Sequence, residues 1–351
     1  MTTADVTPVG DPATARWIDN ETAGLSRSWH VVAASDEVDE TPRQIWLLGL
    51  PWVLARTSGG LVAFVDRCPH RLAPLSAGTV VGDRIKCRYH GWEFRADGAC
   101  ESIPSNAPGS PIPARACATR PFAVQERFGL VWLAPDAPVC SLHDFPEWDD
   151  PAYDRARNAP RRTSAGAGQL ADNFLDASHF PTVHTKTFGS PEAAYVSPHT
   201  VGRDGWEIRT VYEAPYRNHD DPLVATGEHP LVQPHILTKV GRPSSTVYLT
   251  LDFPLTGVRL AILFACQPER HGSTRVYKLM AHSGYDGDQG RIDELIRFED
   301  VVLDEDLDIL ERYPSQRLAT DLGVEVHSRA DRLSVAYRRL LADLLQEGNG
   351  Q

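Results

Sequence analysis

The chain has 351 residues, of which 42% are hydrophobic and 23% are charged, a composition that is ordinary for a globular protein. Its formal net charge of −12 argues against a general nucleic-acid or anionic-membrane surface. The polar N-terminus lacks the apolar core of a signal peptide, and no run of about 18 apolar residues occurs, so we expect no membrane span.

The first part of the chain is predicted to be rich in short strands. Residues 1–27 are expected to form a loosely ordered arm. From residue 28 onward, segments rich in β-branched and aromatic residues are separated by Gly, Pro and Asp, as is typical of strands joined by turns. We therefore predict an all-β domain over residues 28–140, with the predicted strands near 29–34, 44–57, 61–67, 92–103 and 121–135.

Two short loops of this domain carry a metal-binding pattern. Cys68 and His70 form a Cys-x-His pair, and sixteen residues later Cys87 and His90 form a Cys-x-x-His pair. A structural zinc site more often pairs Cys with Cys and His with His. One cysteine and one histidine on each loop instead favour a Rieske [2Fe–2S] cluster, in which the cysteines bind one iron and the histidines the other. This half of the protein is therefore expected to store and pass one electron.

The remaining cysteines are scattered, which is typical of reduced thiols in a cytoplasmic protein. They are Cys100, Cys117, Cys140 and Cys266.

A Pro/Asp-rich passage at Phe145–Pro151 marks the predicted domain junction, so residues 141–351 are expected to form a second domain. Strand-like segments occupy much of it, and two candidate helices close the chain. An antiparallel sheet with helices grouped against one side makes the fold class α+β. The predicted strands are 207–216, 245–255, 258–268 and 274–284, and the predicted helices are 291–313 and 330–346.

The helix-prone segment Asn173–His184 contains a second candidate metal site. His179 and His184 are five residues apart, which on a regular helix turns their side chains about 500° and leaves them on different faces. Pro181 lies between them and is expected to disturb the helix so that the imidazoles converge. Two nearby histidines are more often structural. Because a one-electron centre needs an acceptor, the cluster motif favours a 2-His-1-carboxylate iron site that is open to O₂.

Together the two motifs resemble the α subunit of Rieske non-heme iron oxygenases, the aromatic-ring hydroxylating oxygenase family. The resemblance extends from Trp29 to about Leu345 and implies an N-terminal Rieske domain followed by a helix-grip (START-like) catalytic domain. In the family, an Asn precedes the pattern Asp-x-x-His-x-x-x-x-His. The matching residues here are Asn173, Asp176, His179 and His184.

The family's third iron ligand is an aspartate on a late helix, and the resemblance implies Asp306 within Glu305–Glu311. The alternatives, Asp304 and Asp308, would point about 200° round the helix. Asp176, at i−3 from His179 on the same helical face, is implied to join a Rieske histidine of one subunit to an iron-bound histidine of the next. Asn173 is implied to lie near the iron without binding it.

The resemblance also implies the reaction and the partners. Electrons would come from NAD(P)H through a separate reductase, with or without a ferredoxin, because no nucleotide-binding glycine fingerprint is present. O₂ would be the co-substrate, and a homotrimer is implied.

The compact chain resembles the dicamba, vanillate and methylxanthine demethylases, which implies oxidative O- or N-demethylation of a small aromatic substrate. Two alternatives remain at this point: C–H hydroxylation by the same site, and an electron-transfer protein without oxygenase activity. The segment Leu260–Phe264 is consistent either with an apolar substrate pocket or with sheet core. Residues that are candidates for a polar substrate group, none of them assigned, are Arg203, Arg209, Arg217, Arg259, His219, His229 and His235.

Overall fold

The structure is a computed structural model that describes residues 16–348. Within those residues the strands of the first half are β1 (Trp17–Ile18), β2 (His30–Ala34), β3 (Arg43–Leu47), β4 (Leu50–Thr57), β5 (Gly60–Val65), β6 (Thr79–Val81), β7 (Arg84–Lys86), β8 (Glu93–Arg95), β9 (Cys100–Ser102), β10 (Ala123–Arg127) and β11 (Leu130–Ala134). Those of the second half are β12 (Asp154–Arg157), β13 (Arg161–Thr163), β14 (Val201–Asp204), β15 (Glu207–Arg217), β16 (Val232–Gly241), β17 (Thr246–Phe253), β18 (Val258–Arg270), β19 (Ser273–His282) and β20 (Leu318–Ala319).

Six α-helices occur in the described part of the chain, four of them short. They are α1 (Pro146–Asp149), α2 (Ala167–Leu175), α3 (Phe180–Val183), α4 (Pro222–Thr226), α5 (Gln289–Leu310) and α6 (Arg332–Gly348). The two predicted terminal helices correspond to α5 and α6, with bounds shifted by two or three residues. No helix of residues 16–348 is long and apolar enough to cross a membrane.

The N-terminal domain consists of small antiparallel sheets, as its sequence predicts. Strands β3, β4 and β5 form one, β2, β11 and β10 form a second, and β6 to β9 form a third. The two predicted metal loops flank β6 and β7: one follows β5, and the other connects β7 to β8. Both loops therefore protrude from the same end of a small β scaffold.

The expected loose arm is wrong for residues 16–27, while residues 1–15 lie outside the described part of the chain. Strand β1 pairs with β20, which joins the start of the fold to its C-terminal half. Ile18 and Leu25 are buried in the core, and the Asn20 side chain donates to Thr274 Oγ1 at 2.8 Å. Apolar burial and this buried hydrogen bond hold the segment in place.

The C-terminal domain is built on one antiparallel sheet in the order β12-β19-β18-β17-β16-β15-β14, with β13 also paired to β19. The sequence analysis missed the central strand β16, because Pro234 interrupts its pattern. Pro234 pairs only with Pro215 of β15, since the pairing of β16 with β17 begins at Ile236. That end of the strand is an edge, where a proline is tolerated.

Alternation along the strands gives this sheet two different apolar faces. On β18, Leu260 and Ile262 lie on the inner face, where they pack with Ile292 and Leu295 of α5. The outer face packs against the N-terminal domain, in a cluster that contains Ala261, Leu263, Leu279, Ala281, Val31, Leu130 and Trp132. The sheet is therefore the wall between the two halves of the protein, and only its inner face is available to build a cavity under α5.

A largely buried ion pair fastens α6 onto α2. The Arg338 guanidinium donates to Asp172 Oδ2 at 2.8 Å and lies 2.7 Å from Glu325 Oε2, and its side chain is only 7% exposed. Replacing one partner would leave a buried carboxylate without its counter-charge.

We therefore expect Arg338→Met to lower the free energy of unfolding by about 3 kcal/mol and the melting temperature of the holoenzyme by at least about 5 °C. Arg312→Met is the matched control, because Arg312 forms an exposed pair with Asp308 at 2.6 Å on the surface of the same domain. The control should change the melting temperature by less than about 1 °C. Equal melting temperatures for the two variants would contradict this role of the buried pair.

Candidate functional site: two metal-ligand sets and a cavity

The two loops of the N-terminal domain share one backbone geometry. In the first, the N–H of Cys68 donates to Ala73 O at 2.8 Å, and the N–H of Leu72 donates to Cys68 O at 2.9 Å. The second repeats both bonds at the same offsets: Cys87 N to Trp92 O at 2.8 Å, and Gly91 N to Cys87 O at 3.0 Å. The fifth residue of each loop has a positive φ, +60° at Leu72 and +73° at Gly91, which closes the turn.

The four predicted cluster ligands divide into buried thiols and outward imidazoles. Cys68 and Cys87 are 2% and 1% exposed, whereas His70 is half-buried and His90 is exposed. The His70 and His90 rings lie 4.5 Å apart, and His70 also stacks on Trp92 at 4.5 Å.

These residues fit an iron–sulfur cluster. Burial, followed by the neighbouring Cys87, raises the pKa of the Cys68 thiol to about 11, so two thiolates held together there need a cation. The buried Nδ1 of His70 has no hydrogen-bond partner among the described residues, which leaves it free to act as a ligand.

In the C-terminal domain, α2 ends at Leu175, where its last carbonyl groups meet a buried lysine. The Nζ of Lys239 on β16 donates to the carbonyl oxygens of Phe174, Leu175 and Asp176 at 3.0, 3.2 and 2.8 Å. A cation at the C-terminus of a helix satisfies free carbonyls and complements the helix dipole. Burial lowers the pKa of Lys239, whereas its three carbonyl acceptors favour the ammonium form, which alone has three N–H donors. The sequence analysis did not single this residue out.

The expected disturbance of the helix within Asn173–His184 is present, but it begins earlier in the chain than Pro181. Asp176 is extended, with φ −72° and ψ 149°, and a second short helix, α3, begins after His179. Pro181 does not make the break, because it lies in the first turn of α3, where proline is tolerated. The two histidines converge because the chain turns between α2 and α3.

Asp176 and His179 therefore do not share a helical face, yet their side chains meet as the motif implies. Asp176 Oδ2 lies 2.8 Å from Nδ1 of His179, and Oδ1 accepts from the Ser178 backbone and hydroxyl at 3.0 and 2.7 Å. Burial alone would raise the pKa of the Asp176 carboxyl, but the hydrogen bonds from His179 and Ser178 lower it well below its usual value.

His184 is held in the same way by a residue to which the sequence analysis gave no role. Its Nδ1 lies 3.0 Å from Oε2 of Glu305, which also accepts from the Thr187 hydroxyl at 2.7 Å. The only sequence signal for Glu305 is its position directly before Asp306 on α5. Buried carboxylates that orient metal-binding imidazoles are a common feature of metal sites.

His179, His184 and Asp306 form a compact group whose possible ligand atoms all lie within 4.8 Å of one another. Asp306 Oδ1 is 3.5 Å from His179 Nε2 and 3.3 Å from His184 Nε2, and the two Nε2 atoms are 3.2 Å apart. Asp304 and Asp308 instead form ion pairs with Arg161 and Arg312 at the surface.

This group fits a metal ion. Since each Nδ1 faces a carboxylate, it carries the proton, and each neutral ring presents an Nε2 lone pair to the centre. Two lone pairs and a carboxylate at these distances are a 2-His-1-carboxylate set. Asn173 touches the set, donating from Nδ2 to Asp306 Oδ1 at 3.3 Å.

Gly189 packs directly against the turn that carries the histidines. Its N–H donates to His184 O at 2.8 Å, and a Cβ at this position would lie 2.2 Å from Phe180 O. Any side chain there would push the turn between His179 and His184 out of place.

One cavity reaches the triad, and a larger one shares the lining residue Tyr216 with it. The inner cavity, of about 60 Å³, reaches His179, His184 and Asp306 and has mainly apolar walls that include Leu237, Leu249, Leu251 and Ile262. The outer cavity, of about 600 Å³, extends from Phe253 and Leu260 to His282, Tyr285 and Arg291. Tyr216 lines both cavities.

Both interpretations of the segment Leu260–Phe264 therefore hold, because successive side chains point to opposite faces of the sheet. Leu260 and Ile262 line cavities, whereas Ala261 and Leu263 belong to the core between the sheet and the N-terminal domain.

Four of the seven candidates for binding a polar substrate group line a cavity, and the other three do not. His235 lines the inner cavity, and Arg217, His219 and His229 line the outer one. Arg203 and Arg259 form ion pairs with Asp343 and Asp252, and Arg209 is exposed.

The two ligand sets define a class of protein, an iron-dependent oxygenase that carries its own one-electron cluster, and comparison with known families agrees. A family model of the Rieske [2Fe–2S] domain matches residues 28–123, and one of the vanillate O-demethylase oxygenase C-terminal domain matches residues 163–347. The chain therefore belongs to the Rieske non-heme iron oxygenases.

The relatives are oxygenase components of this family. Methylxanthine N1-demethylase NdmA of Pseudomonas putida is 30% identical over 344 residues, covering 93% of this chain and 91% of that protein. The oxygenase component of dicamba O-demethylase from Stenotrophomonas maltophilia is 32% identical over 203 residues, covering 54% and 56%. These relatives make the chain an oxidoreductase and do not favour the electron-carrier alternative.

Solved structures support the α+β fold. That of Pseudomonas putida NdmA with caffeine has a TM-score of 0.81 at 28% identity and covers 94% of both chains. Dicamba monooxygenase bound to dicamba has a TM-score of 0.74 at 22% identity, covering 93% of this chain and 99% of that one, and shares the fold.

We expect Glu305→Gln to weaken iron(II) binding about 10- to 100-fold, because the replacement removes the negative charge that orients His184. The measurement is an anaerobic iron(II) titration of enzyme that retains its cluster but has lost the mononuclear metal.

Asp308→Asn is the control for this titration, because Asp308 lies on the same helix and its side chain is 65% exposed. If Glu305→Gln bound iron(II) as tightly as Asp308→Asn, the carboxylate would have no part in orienting His184.

Proposed function

We propose that this oxygenase catalyses O₂-dependent oxidative demethylation of an O- or N-methyl group on a small aromatic substrate. The observation that carries the proposal is the convergence of His179, His184 and Asp306 at one end of an apolar cavity. The N- and O-demethylases among the relatives favour this reaction over hydroxylation at another C–H bond.

The proposal gives each domain one task. In residues 28–140, Cys68 and Cys87 would bind one iron of the cluster, and His70 and His90 the other. In residues 141–351, His179, His184 and Asp306 would bind iron(II). When present, that iron supplies O₂ activation: with two electrons and two protons, one oxygen atom enters the methyl C–H bond and the other leaves as water. The hydroxymethyl product then releases formaldehyde and the demethylated amine or hydroxyl.

The side chains around this site orient the ligands and exclude water. Asp176 and Glu305 hold the Nδ1 protons, so both imidazoles keep Nε2 toward the centre. Asn173 donates a hydrogen bond to Asp306 and thereby helps to fix the orientation of that carboxylate. Asn173 itself would not bind the metal. The apolar walls of the inner cavity admit the methyl group and keep bulk water away from the reaction.

The electron supply requires other proteins. We propose a separate NAD(P)H-dependent reductase, with or without a ferredoxin, and a homotrimer in which the cluster of one subunit serves the iron of the next. Two features support the trimer: His90 is exposed, and a groove of about 360 Å³ lies beside Asp176, His179 and His327. The six free cysteines support a cytoplasmic location.

Single turnover tests the proposed reaction without the reductase. Holoenzyme reduced anaerobically by dithionite and mixed with O₂ and a panel of methoxy- and N-methylarenes should release one formaldehyde per O₂ consumed from at least one of them. Asp306→Ala should abolish release and keep the cluster's visible spectrum, whereas Asp304→Ala, altered two residues away in a surface ion pair, should retain release. A hydroxylated product that keeps its methyl group would overturn demethylation.

Asp176→Asn tests the electron path. The amide keeps the size of the side chain but loses the charge that holds His179. With iron(II) in excess, which offsets any weaker binding, we expect full iron content and about 10- to 100-fold slower cluster reoxidation. Stopped-flow absorbance of the reduced enzyme after mixing with substrate and O₂ measures this rate, with Asp308→Asn as the surface control. Wild-type reoxidation in Asp176→Asn would exclude the bridging role.

A further inference from the structure

One residue that lines the inner cavity carries a buried polar atom with no use in the chemistry above. His235 lies on β16, is 1% exposed and lines the inner cavity. Its Nδ1 lies 2.7 Å from Ala214 O, and its buried Nε2 has no hydrogen-bond partner in the described part of the chain. A buried polar atom without a partner is costly and calls for an explanation.

The protonation of this ring follows from its partner. A carbonyl oxygen only accepts, so Nδ1 carries the proton and Nε2 presents a lone pair. Burial lowers the pKa of His235 to about 3, against the opposing effect of its bond to Ala214, so the ring stays neutral at physiological pH. Nε2 is therefore a hydrogen-bond acceptor.

The ring is also fixed in place. It packs edge-on against Tyr216 at 5.2 Å and stacks near Phe253 at 6.0 Å, while Nδ1 is tied to the neighbouring strand β15. Tyr216 lines both cavities and Phe253 lines the outer one. The acceptor thus belongs to the wall of the inner cavity and lies next to Tyr216, the residue that both cavities share.

The two buried lysines nearest to the inner cavity already have hydrogen-bond partners. Lys278 donates to Glu299 Oε2 at 2.8 Å, and Lys239 holds the end of α2. No lysine or arginine of the described residues lines the inner cavity. Apart from the proposed iron(II), an anionic group entering there would be desolvated without a counter-charge from a side chain.

The sizes of the cavities set which part of a substrate meets His235. The inner cavity, of about 60 Å³, has room for roughly two water-sized groups. This is enough for a methyl group and its neighbour but not for a whole ring. The body of an aromatic substrate would occupy the outer cavity, of about 600 Å³.

We propose that His235 selects the substrate by accepting a hydrogen bond at Nε2 from a neutral O–H or N–H group that neighbours the methyl group to be removed. This inference rests on the proposed function, since it specifies the substrate of that same site. A substrate whose donor is replaced by a methyl group leaves the acceptor unpaired, and one with a carboxylate there places an anion against a lone pair.

Three probes that differ at one ring position test this: guaiacol carries O–H beside the methoxy group, veratrole carries O–CH₃, and 2-methoxybenzoate carries a carboxylate. Their dissociation constants are measured on the holoenzyme by anaerobic calorimetry. Guaiacol should bind about 10- to 100-fold more tightly than either of the others.

Variants of His235 then distinguish the effect of the hydrogen-bond acceptor on substrate preference from the effect of the pocket's shape. His235→Phe should lose the preference for guaiacol over veratrole, and His235→Gln, whose amide oxygen can accept, should keep most of it. His271→Phe, in an exposed loop, is the control and should keep the wild-type ratio. If His235→Phe does not fold, the wild-type ratio and His235→Gln still decide.

The proposal is overturned if wild-type enzyme binds veratrole or 2-methoxybenzoate as tightly as guaiacol, if His235→Phe keeps the wild-type ratio, or if no probe binds. Formaldehyde release distinguishes this failure from that of the proposed function. Preferred binding of guaiacol without formaldehyde would retain the role of His235 and reject demethylation. Equal binding of the three probes together with formaldehyde release would reject the role of His235 and retain demethylation.

Discussion

The Lys239 ammonium group binds the last carbonyls of α2 at the point where the helix ends and the turn that carries both histidines begins. Lys239 is fully buried on the central strand β16, and its three hydrogen bonds end the helix at Leu175. Because the chain must leave the helix there, Asp176 becomes extended and its carboxylate turns toward His179. The turn that follows brings His184 back against α5. A buried cation with no direct part in the reaction thus fixes the direction of both histidines.

The two faces of the C-terminal sheet place the two proposed metal sites on opposite sides of it. Period-two alternation sends Ala261 and Leu263 toward the N-terminal domain and Leu260 and Ile262 toward the cavities. The electron-storing half is packed onto the back of the sheet, and the substrate space lies on its front. Helix α5 closes that front and carries both Asp306 and Glu305, so one helix supplies a proposed metal ligand and the carboxylate that orients a second proposed ligand, His184.

The sequence predicted the chemical groups better than their geometry. Cysteine and histidine spacing is local, so the cluster loops and the pair His179 and His184 were visible without a structure. The break in the helix was attributed to Pro181 because its actual cause, Lys239, is 63 residues away from Asp176. For the same reason Glu305 has no role in the sequence analysis and His235 is only one of seven unassigned polar candidates there: Glu305 acts on a histidine distant in the chain, and His235 lines a cavity that exists only once the sheet has formed. Strand β16 was missed because a proline is tolerated in a strand only where the neighbouring strand makes no hydrogen bond to it. Pro234 meets this condition because the pairing of β16 with β17 begins at Ile236, which the sequence does not show.

The most direct test of the central claim is the content of iron and acid-labile sulfide per chain in anaerobically purified protein, with the visible spectrum of its oxidised form. Cys68, His70, Cys87 and His90 account for two irons and two sulfides, and His179, His184 and Asp306 for one further iron. We therefore predict three irons and two sulfides per chain, with Rieske-type absorption. Two irons and two sulfides that persist after iron(II) is added would contradict the mononuclear site. Zinc without sulfide would contradict both sites.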